Sequence, residues 1–164
     1  MEKTKLRIHT WPEKILKKKC EKVEVVDERI RQILSQMYSL MVKDKGVGLA
    51  ANQVGLALQL IVIEAGKIFK LVNPRINKKQ GKLTLREGCL SFPDVEFEVK
   101  RAKKVWVSGL NERGEPFNLE AEGVLAVIFQ HEIDHINGIV FIDRIPFWQR
   151  LKIKYKLCPR KKSS

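Results

Sequence analysis

The stretch QHEIDHING contains the pattern H-E-x-x-H, formed by His131, Glu132 and His135. If this stretch is helical, residues four apart lie on one face, so both imidazoles can bind one metal ion. The glutamate between them lies close enough to accept a proton from a water molecule held there. The pattern therefore predicts a helix that carries a metal site, and it indicates a metal-dependent hydrolase without identifying the substrate.

The third protein ligand of such a site is not fixed by the spacing. Catalytic sites of this kind have three protein ligands and one open position. No glutamate follows Glu132, and Phe141 stands where the extended motif H-E-x-x-H-x-x-G-x-x-H places a third histidine. Both observations weaken the common zinc-protease interpretations. The remaining sulfur or imidazole donors are all distant in sequence: His9, Cys20, Cys89 and Cys158.

Length and composition predict one globular domain spanning residues 1–164, of which 44% are hydrophobic and 31% charged. The N-terminus has no apolar signal segment, and the longest apolar runs are too short to span a bilayer. Three cysteines without disulfide-like spacing suit a reducing compartment. We therefore expect a cytoplasmic protein without membrane contact.

The formal net charge of +13 is concentrated at the two ends of the chain, and no acidic residue follows Asp143. Such a surface attracts anionic partners without sequence specificity. No nucleic-acid-binding motif accompanies the charge, so specific DNA binding is not expected. The basic segment 147–164 is predicted to form a C-terminal helix and tail.

Hydrophobic periodicity predicts the order of helices and strands. Asp27 can cap a helix that runs to about Lys43, and Gly46 and Gly48 mark a loop after it. A second helix is expected to begin near Gly123 and end at Gly138. Between the two helices the pattern predicts strands at residues 58–64, 68–73, 95–99, 104–110 and 117–121. The fold class is therefore α+β, with mostly antiparallel sheets packed around a central helix that carries H-E-x-x-H, and with a C-terminal helix.

Two further segments accompany the H-E-x-x-H helix: GVGLAANQ at residues 46–53 and EGCLS at residues 87–91. Each alone is a weak signal, because a G-x-G pair is usually a turn and a lone cysteine is usually buried apolar structure. Together, in this order and followed by Q-H-E-x-D-H, the three segments resemble those of peptide deformylases. The resemblance extends from the Trp11-Pro12 region to at least Arg144.

The resemblance implies a role for each matching residue. It makes Cys89, His131 and His135 the metal ligands and Glu132 the catalytic acid and base. It implies that the Gln53 side chain and the Leu90 backbone N–H bind the oxygen of the reacting formyl group. It gives Glu87 and Arg101 a role in supporting the cysteine loop. The residues that match the substrate-binding positions are Val47, Gly48, Gly88, Val124, Val127 and Ile128, although Val47 and Val124 could equally be core residues.

The activity implied by the resemblance is removal of the N-formyl group from the formyl-methionine of nascent polypeptides, with release of formate. The partners would be N-formyl-methionyl peptides and, through the basic tail, the ribosome. Cysteine and histidine ligands alone favour zinc. The resemblance instead implies Fe²⁺, with Zn²⁺, Ni²⁺ or Co²⁺ able to substitute.

Two alternatives stay open at this point. Another metal amidase or a metalloprotease could use the same H-E-x-x-H helix, and an RNA- or ribosome-binding protein could keep the fold without activity. Asp94 and Glu96 are acidic where many relatives have a basic residue, so no substrate-binding arginine is assigned there. Asp134 and Asn137 receive no role.

Overall fold

The structure, a computed structural model, describes residues 5–157, and side chains as far as residue 153. It contains three α-helices, α1 (Glu28–Lys43), α2 (Val124–Ile136) and α3 (Phe147–Leu157), and 3-10 turns at Lys14–Lys17, Ala51–Val54 and Phe141–Arg144. The strands are β1 (Gly48–Ala50), β2 (Leu60–Glu64), β3 (Ile68–Gln80), β4 (Leu83–Cys89), β5 (Phe92–Arg101), β6 (Lys104–Asn111) and β7 (Pro116–Glu122).

All strand pairs of the two sheets are antiparallel. Five strands form one sheet in the order β1-β2-β3-β6-β7, and β4 and β5 form a separate two-stranded sheet. These sheets and the three helices confirm the predicted α+β class. None of the described helices is long and apolar enough to cross a membrane.

Helix α1 covers one face of the five-stranded sheet. Its N-terminus is capped as predicted, because Asp27 Oδ1 accepts a hydrogen bond from Ile30 N at 3.0 Å. The apolar side chains recur at helical spacing, and Leu34, Met37 and Met41 are fully buried. They pack on one face of the sheet against Leu49, Leu60, Val62 and Val72.

Helix α2 covers the opposite face, because β2 alternates its side chains between the two sides of the sheet. Ile61 and Ile63 point away from α1 and pack with Phe129 and Ile133 of α2. The predicted stop at Gly138 is confirmed, and its φ of +75° requires glycine. A Cβ there would lie 2.5 Å from the Lys17 carbonyl oxygen, so only glycine lets these two segments meet. The H-E-x-x-H motif thus lies on a helix that packs against one face of the five-stranded sheet.

The two-stranded sheet packs on a third core cluster. Phe92, Val95 and Val99 of β5 contact the 3-10 turn at Phe141–Arg144 and Ile153 of α3. This confirms a C-terminal helix over the part of it that the structure describes. The cluster holds the β4–β5 turn beside the end of α2.

The structure corrects several predicted boundaries. The segment expected to end at residue 73 continues as β3 to Gln80, since a register shift between Val72 and Arg75 accommodates Pro74, which has no backbone N–H to donate. Gly48, predicted to lie in a loop, begins β1, whose three residues pair with Ile61 to Ile63. Strand β4 was not predicted at all. Its half-buried leucines, Leu83 and Leu85, alternate with the exposed Thr84 and Arg86, and this weak pattern ends in the EGC motif.

Candidate metal centre

Three candidate ligand atoms, from a strand and a helix, lie close together. Cys89 is the last residue of β4, where the pairing with β5 shifts register between Gly88 and Cys89. His131 and His135 lie one turn apart on α2. Cys89 Sγ lies 3.3 Å from His135 Nε2, which lies 3.1 Å from His131 Nε2. Of the three distant donors that the structure describes, His9, Cys20 and Cys89, it brings Cys89 to the two histidines, and all three candidate ligand atoms lie within 4.8 Å of one another.

This donor set fits a divalent cation. Tetrahedral ligands at 2.0–2.3 Å from a shared ion lie roughly 3.4 Å apart, close to the observed separations. His131 Nδ1 lies 2.9 Å from Glu87 Oε2, a contact that requires the ring to donate N–H from this nitrogen. In the neutral ring, Nε2 then carries a lone pair that faces the other two donors. A cation bound between the three donor atoms would accept a lone pair from each of them.

The electrostatics of the two imidazoles differ. Burial, and then the neighbouring His131, lower the pKa of His135 well below its ordinary value, which keeps this ring neutral. For His131, burial opposes the charged form, but hydrogen bonds with Cys89 and Glu87 outweigh it and raise the pKa well above its ordinary value. The surroundings of His131 therefore favour positive charge, which a metal ion would supply.

Glu132 is the free carboxylate of the site. It is buried, and its Oε2 has no hydrogen-bond partner among the described residues. Burial raises the pKa of Glu132 to about 7. A carboxylate with a pKa near neutrality can both accept and return a proton, which is what a general acid–base group requires.

Gly48 makes room for the Glu132 carboxylate. A Cβ at Gly48 would clash with Glu132 Oε1 and would lie 2.8 Å from its Cδ and 2.9 Å from its Cγ. Glycine at this position of β1 is therefore required by the close approach of the strand to the Glu132 side chain.

We expect Gly48→Ala to lower kcat by about 100-fold or more, because Glu132 must turn away from its position and the general acid–base catalysis predicted for it is lost. Steady-state kinetics on a formylated peptide, the substrate that the resemblance implies, measures the effect. The matched control is Gly88→Ala, whose Cβ would lie at an ordinary 3.6 Å from Glu96 Cγ. We expect the control to alter KM and to leave kcat within a few-fold. Equal kcat values for the two variants would contradict this role of Gly48.

Gln53 lies in the 3-10 turn Ala51–Val54, and both the oxygen and the nitrogen of its side-chain amide form hydrogen bonds. Its Oε1 accepts from Ala50 N at 2.9 Å. Its Nε2 donates to Ser91 Oγ at 3.1 Å and lies 3.4 Å from Cys89 Sγ. The donor end therefore faces the metal ligands, as an oxygen-binding role requires. Leu90 follows Cys89 and also lines the cavity.

A buried chain of alternating charges supports the ligands. Arg101 donates from Nε and Nη2 to Glu87 at 2.5 and 2.9 Å, and Glu87 holds the His131 ring. Arg101 also donates to Asp134 at 2.8 Å, and Asp134 accepts two more hydrogen bonds from Arg144. The expected pair Glu87 and Arg101 is thus part of a longer network.

Sequence reasoning gave no role to three residues at this site. Asp134 and Arg144 complete the charge network, and Ser91 orients Gln53. The sequence did contain a signal for Asp134. A carboxylate on the inner face of an apolar helix needs a cation nearby, so its position indicates a buried cationic partner. Ser91 lies within the EGCLS segment itself, but its contact with Gln53 depends on the fold.

A cavity of about 900 Å³ opens over the ligands. The six residues predicted to bind substrate all line it: Val47, Gly48, Gly88, Val124, Val127 and Ile128. Val47 and Val124 are 56% and 61% exposed, so the structure rejects core packing for these two. An apolar slot therefore leads to the donor atoms and to Glu132.

Two ring nitrogens, a thiol and an unpaired buried carboxylate at the end of an apolar cavity define a class of protein: a metal-dependent hydrolase with an H-E-x-x-H helix. The family model for polypeptide deformylase matches residues 5–150. The chain belongs to the polypeptide deformylase family.

Individual relatives agree with this assignment. The chain is 45% identical over 147 residues to a peptide deformylase of Aquifex aeolicus, covering 85% of this chain and 87% of that protein. It is 52% identical over 141 residues to peptide deformylase 2 of Clostridium acetobutylicum, covering 85% and 94%. Among solved structures, a peptide deformylase from Legionella pneumophila has a TM-score of 0.89 at 38% identity, covering 93% and 92%. That from Ehrlichia chaffeensis in complex with actinonin has a TM-score of 0.90 at 34% identity, covering 96% and 98%.

Proposed function

We propose that this enzyme removes the N-formyl group from the N-terminal formyl-methionine of nascent polypeptides and releases formate. The observation that carries the proposal is the meeting of Cys89, His131 and His135 beside the unpaired carboxylate of Glu132. Membership of the deformylase family supports the choice of a formyl amide over other amides.

The chain's own residues supply the proton transfers. A divalent metal bound by the three ligands would lower the pKa of water and polarise the formyl carbonyl. Glu132 accepts the proton of the attacking water and returns it to the departing amine, for which its pKa of about 7 suits both steps. Gln53 Nε2 donates to the oxyanion, and the Leu90 backbone N–H is the second donor. Each such donor contributes about 3 kcal/mol to transition-state stabilisation.

The cavity also suggests how the peptide is held. The side chain of methionine is flexible and apolar, and Val127 and Ile128 of α2 form an apolar wall next to the ligands. The backbones at Val47, Gly48 and Gly88 can pair with an extended peptide as an added strand. Binding of this kind recognises the formyl-methionyl end and tolerates many following sequences.

We propose Fe²⁺ as the metal, with Zn²⁺, Ni²⁺ or Co²⁺ able to occupy the same ligands. One thiolate and two neutral imidazoles leave a divalent ion with a net charge near +1. A soft sulfur ligand and two imidazoles suit each of these metals.

A comparison of two peptides tests the proposed function. Formyl-Met-Ala-Ser should release formate, whereas acetyl-Met-Ala-Ser should be a poor substrate because the extra methyl must fit beside the Gln53 amide and the ligands. Formate is measured enzymatically, and free amine serves as the second readout. Comparable turnover of both peptides, or cleavage of internal peptide bonds, would indicate the alternative metal amidase or protease.

The two described cysteines should differ in their reactivity toward iodoacetamide. Cys89 lines the cavity, whereas Cys20 is buried and burial raises its pKa to about 11. In a Cys158→Ser background, we expect alkylation of Cys89 in the metal-free protein and strong protection of it after metal is added. Cys20 should stay unmodified in both. Peptide mass mapping measures this, and unchanged labelling of Cys89 with metal present would remove it from the ligand set.

We further propose that the chain forms one domain, acts in the cytoplasm, and meets the ribosome through the basic segment 147–164. The supporting observations are the excess of lysine and arginine in this segment and the nascent-chain substrate. Removing residues 154–164, which leaves the buried Ile153 in place, should weaken ribosome cosedimentation far more than it lowers turnover of a short formyl peptide. Unchanged cosedimentation in low salt would exclude the tail as the contact.

A further inference from the structure

A second cleft lies on the far side of α2 from the metal centre and has a volume of about 510 Å³. Five cations line it, Lys19, Lys22, Arg75, Lys79 and Arg144. The carboxylate that also lines it is that of Asp134, which already accepts hydrogen bonds from Arg101 and Arg144. The cleft therefore has a large excess of positive charge.

Four of the five cations have no acidic partner in the part of the chain that the structure describes, and the fifth, Arg144, pairs with Asp134. Among the described residues, no ion pair is formed by Lys19, Lys22 or Lys79, and Arg75 donates only to the neutral Ser108 hydroxyl. Because like charges repel across a cleft, such a group is stabilised by an anionic ligand.

The floor of the cleft is rigid before any ligand binds. Asn73 makes two hydrogen bonds to the backbone of Val23, at 2.8 and 2.9 Å. Gln59 donates to the Cys20 carbonyl, and Asn137 donates to the Ile133 carbonyl. The two Asn73 hydrogen bonds fix the N-terminal segment that carries Lys19 and Lys22 against the strand that carries Arg75 and Lys79, and the Gln59 hydrogen bond holds the same segment beside β2. The segment that carries Lys19 and Lys22 and the strand that carries Arg75 and Lys79 thus form two opposite walls of the cleft at a fixed distance from each other.

We propose that this cleft binds the phosphate backbone of RNA, with Lys22 and Lys79 contacting phosphates from opposite walls. None of the exposed large apolar side chains of the described residues lines the cleft, whereas protein interfaces depend on such anchors. Backbone contacts by lysine and arginine give affinity without sequence specificity. The residues that line the cleft differ from those that line the catalytic cavity, and none of them belongs to the segment 147–164.

Charge reversal with a matched control tests the proposal. The cleft variant is Lys22→Glu with Lys79→Glu in the full chain, and the control is Lys43→Glu with Lys67→Glu. The control lysines are exposed, lie outside the cleft, and change the net charge equally. Fluorescence anisotropy with a labelled single-stranded RNA of about 20 nucleotides measures binding across a range of salt concentrations. Arg144 is left intact because its hydrogen bond to Asp134 connects it to the metal ligands.

We expect the cleft variant to bind RNA at least about tenfold more weakly than the control at moderate salt. Its slope of log K against log salt should be shallower by about 1.4, or about 0.7 for each phosphate that is no longer neutralised. Turnover of a short formyl peptide should stay within about twofold for both variants, which shows that the fold is retained. Equal affinities and slopes for the two variants would overturn the proposal. If polyglutamate competes as strongly as unlabelled RNA, the cleft binds an acidic protein. If tripolyphosphate competes as strongly as unlabelled RNA, the cleft binds a small anion. Either result would also overturn the proposal.

Discussion

Replacing Glu132 by glutamine is expected to lower kcat by about 1,000-fold while metal binding is retained. Glutamine has nearly the same shape as glutamate and fits the space that Gly48 leaves, but it cannot accept the proton of the attacking water. General acid–base groups typically contribute 10²- to 10⁴-fold to the rate. Because the missing interaction belongs to the transition state, kcat and kcat/KM should fall by the same factor.

Metal content and thermal unfolding of the Glu132→Gln variant provide the controls. Both should match the parent enzyme, since Glu132 is not one of the three ligand residues and its Oε2 makes no hydrogen bond among the described residues. Glu132→Asp retains a carboxylate one methylene shorter and should recover part of the rate. A Glu132→Gln enzyme with kcat within tenfold of the parent would remove Glu132 from the proton-transfer role.

Replacing Arg101 by leucine is expected to lower the free energy of unfolding by about 3–5 kcal/mol. The change leaves Glu87 and Asp134 buried with less compensation, and removing one partner from a buried ion pair has a cost of this size. The Arg101 side chain is only 3% exposed, so water can replace few of its hydrogen bonds. Urea unfolding of the metal-free protein measures the effect without a contribution from metal binding.

Arg86→Leu is the matched control. Arg86 and Glu96 form another arginine–glutamate pair between β4 and β5, but their side chains are 72% and 58% exposed. We expect this variant to lose at most about 1 kcal/mol. Metal affinity should fall in Arg101→Leu because Glu87 no longer holds the His131 ring firmly, and it should not change in Arg86→Leu. Equal destabilisation of the two variants would show that the buried network contributes no more than a surface pair.

The parts of the fold that sequence predicts best are the two helices that pack on the large sheet. The cap at Asp27 and the apolar face of α1 are local signals, and so is the i, i+4 spacing of His131 and His135. Strands were also predicted at the positions of β6 and β7, which are short and adjacent in sequence. Each of these features depends on residues close together in the chain.

Contacts between segments that are distant in sequence could not be predicted from the spacing of residues. Cys89 lies 42 positions before His131, and its role came from the resemblance of three motifs before the structure placed its sulfur beside the rings. Asp134 and Arg144 pair only because the chain turns back after Gly138. The clash that Gly48 avoids depends on β1 lying against α2, which no local pattern encodes.

A metal titration of the metal-free enzyme tests the central claim most directly, namely that Cys89, His131 and His135 hold one ion essential for deformylation. Fe²⁺ is added without air, and bound metal and formate release from formyl-Met-Ala-Ser are measured at each point. Formate release should rise in proportion to bound metal and stop rising at about one equivalent per chain. Cys89→Ala should show neither tight binding nor this activity. Substantial formate release by the metal-free enzyme, or an unchanged titration in Cys89→Ala, would contradict the claim.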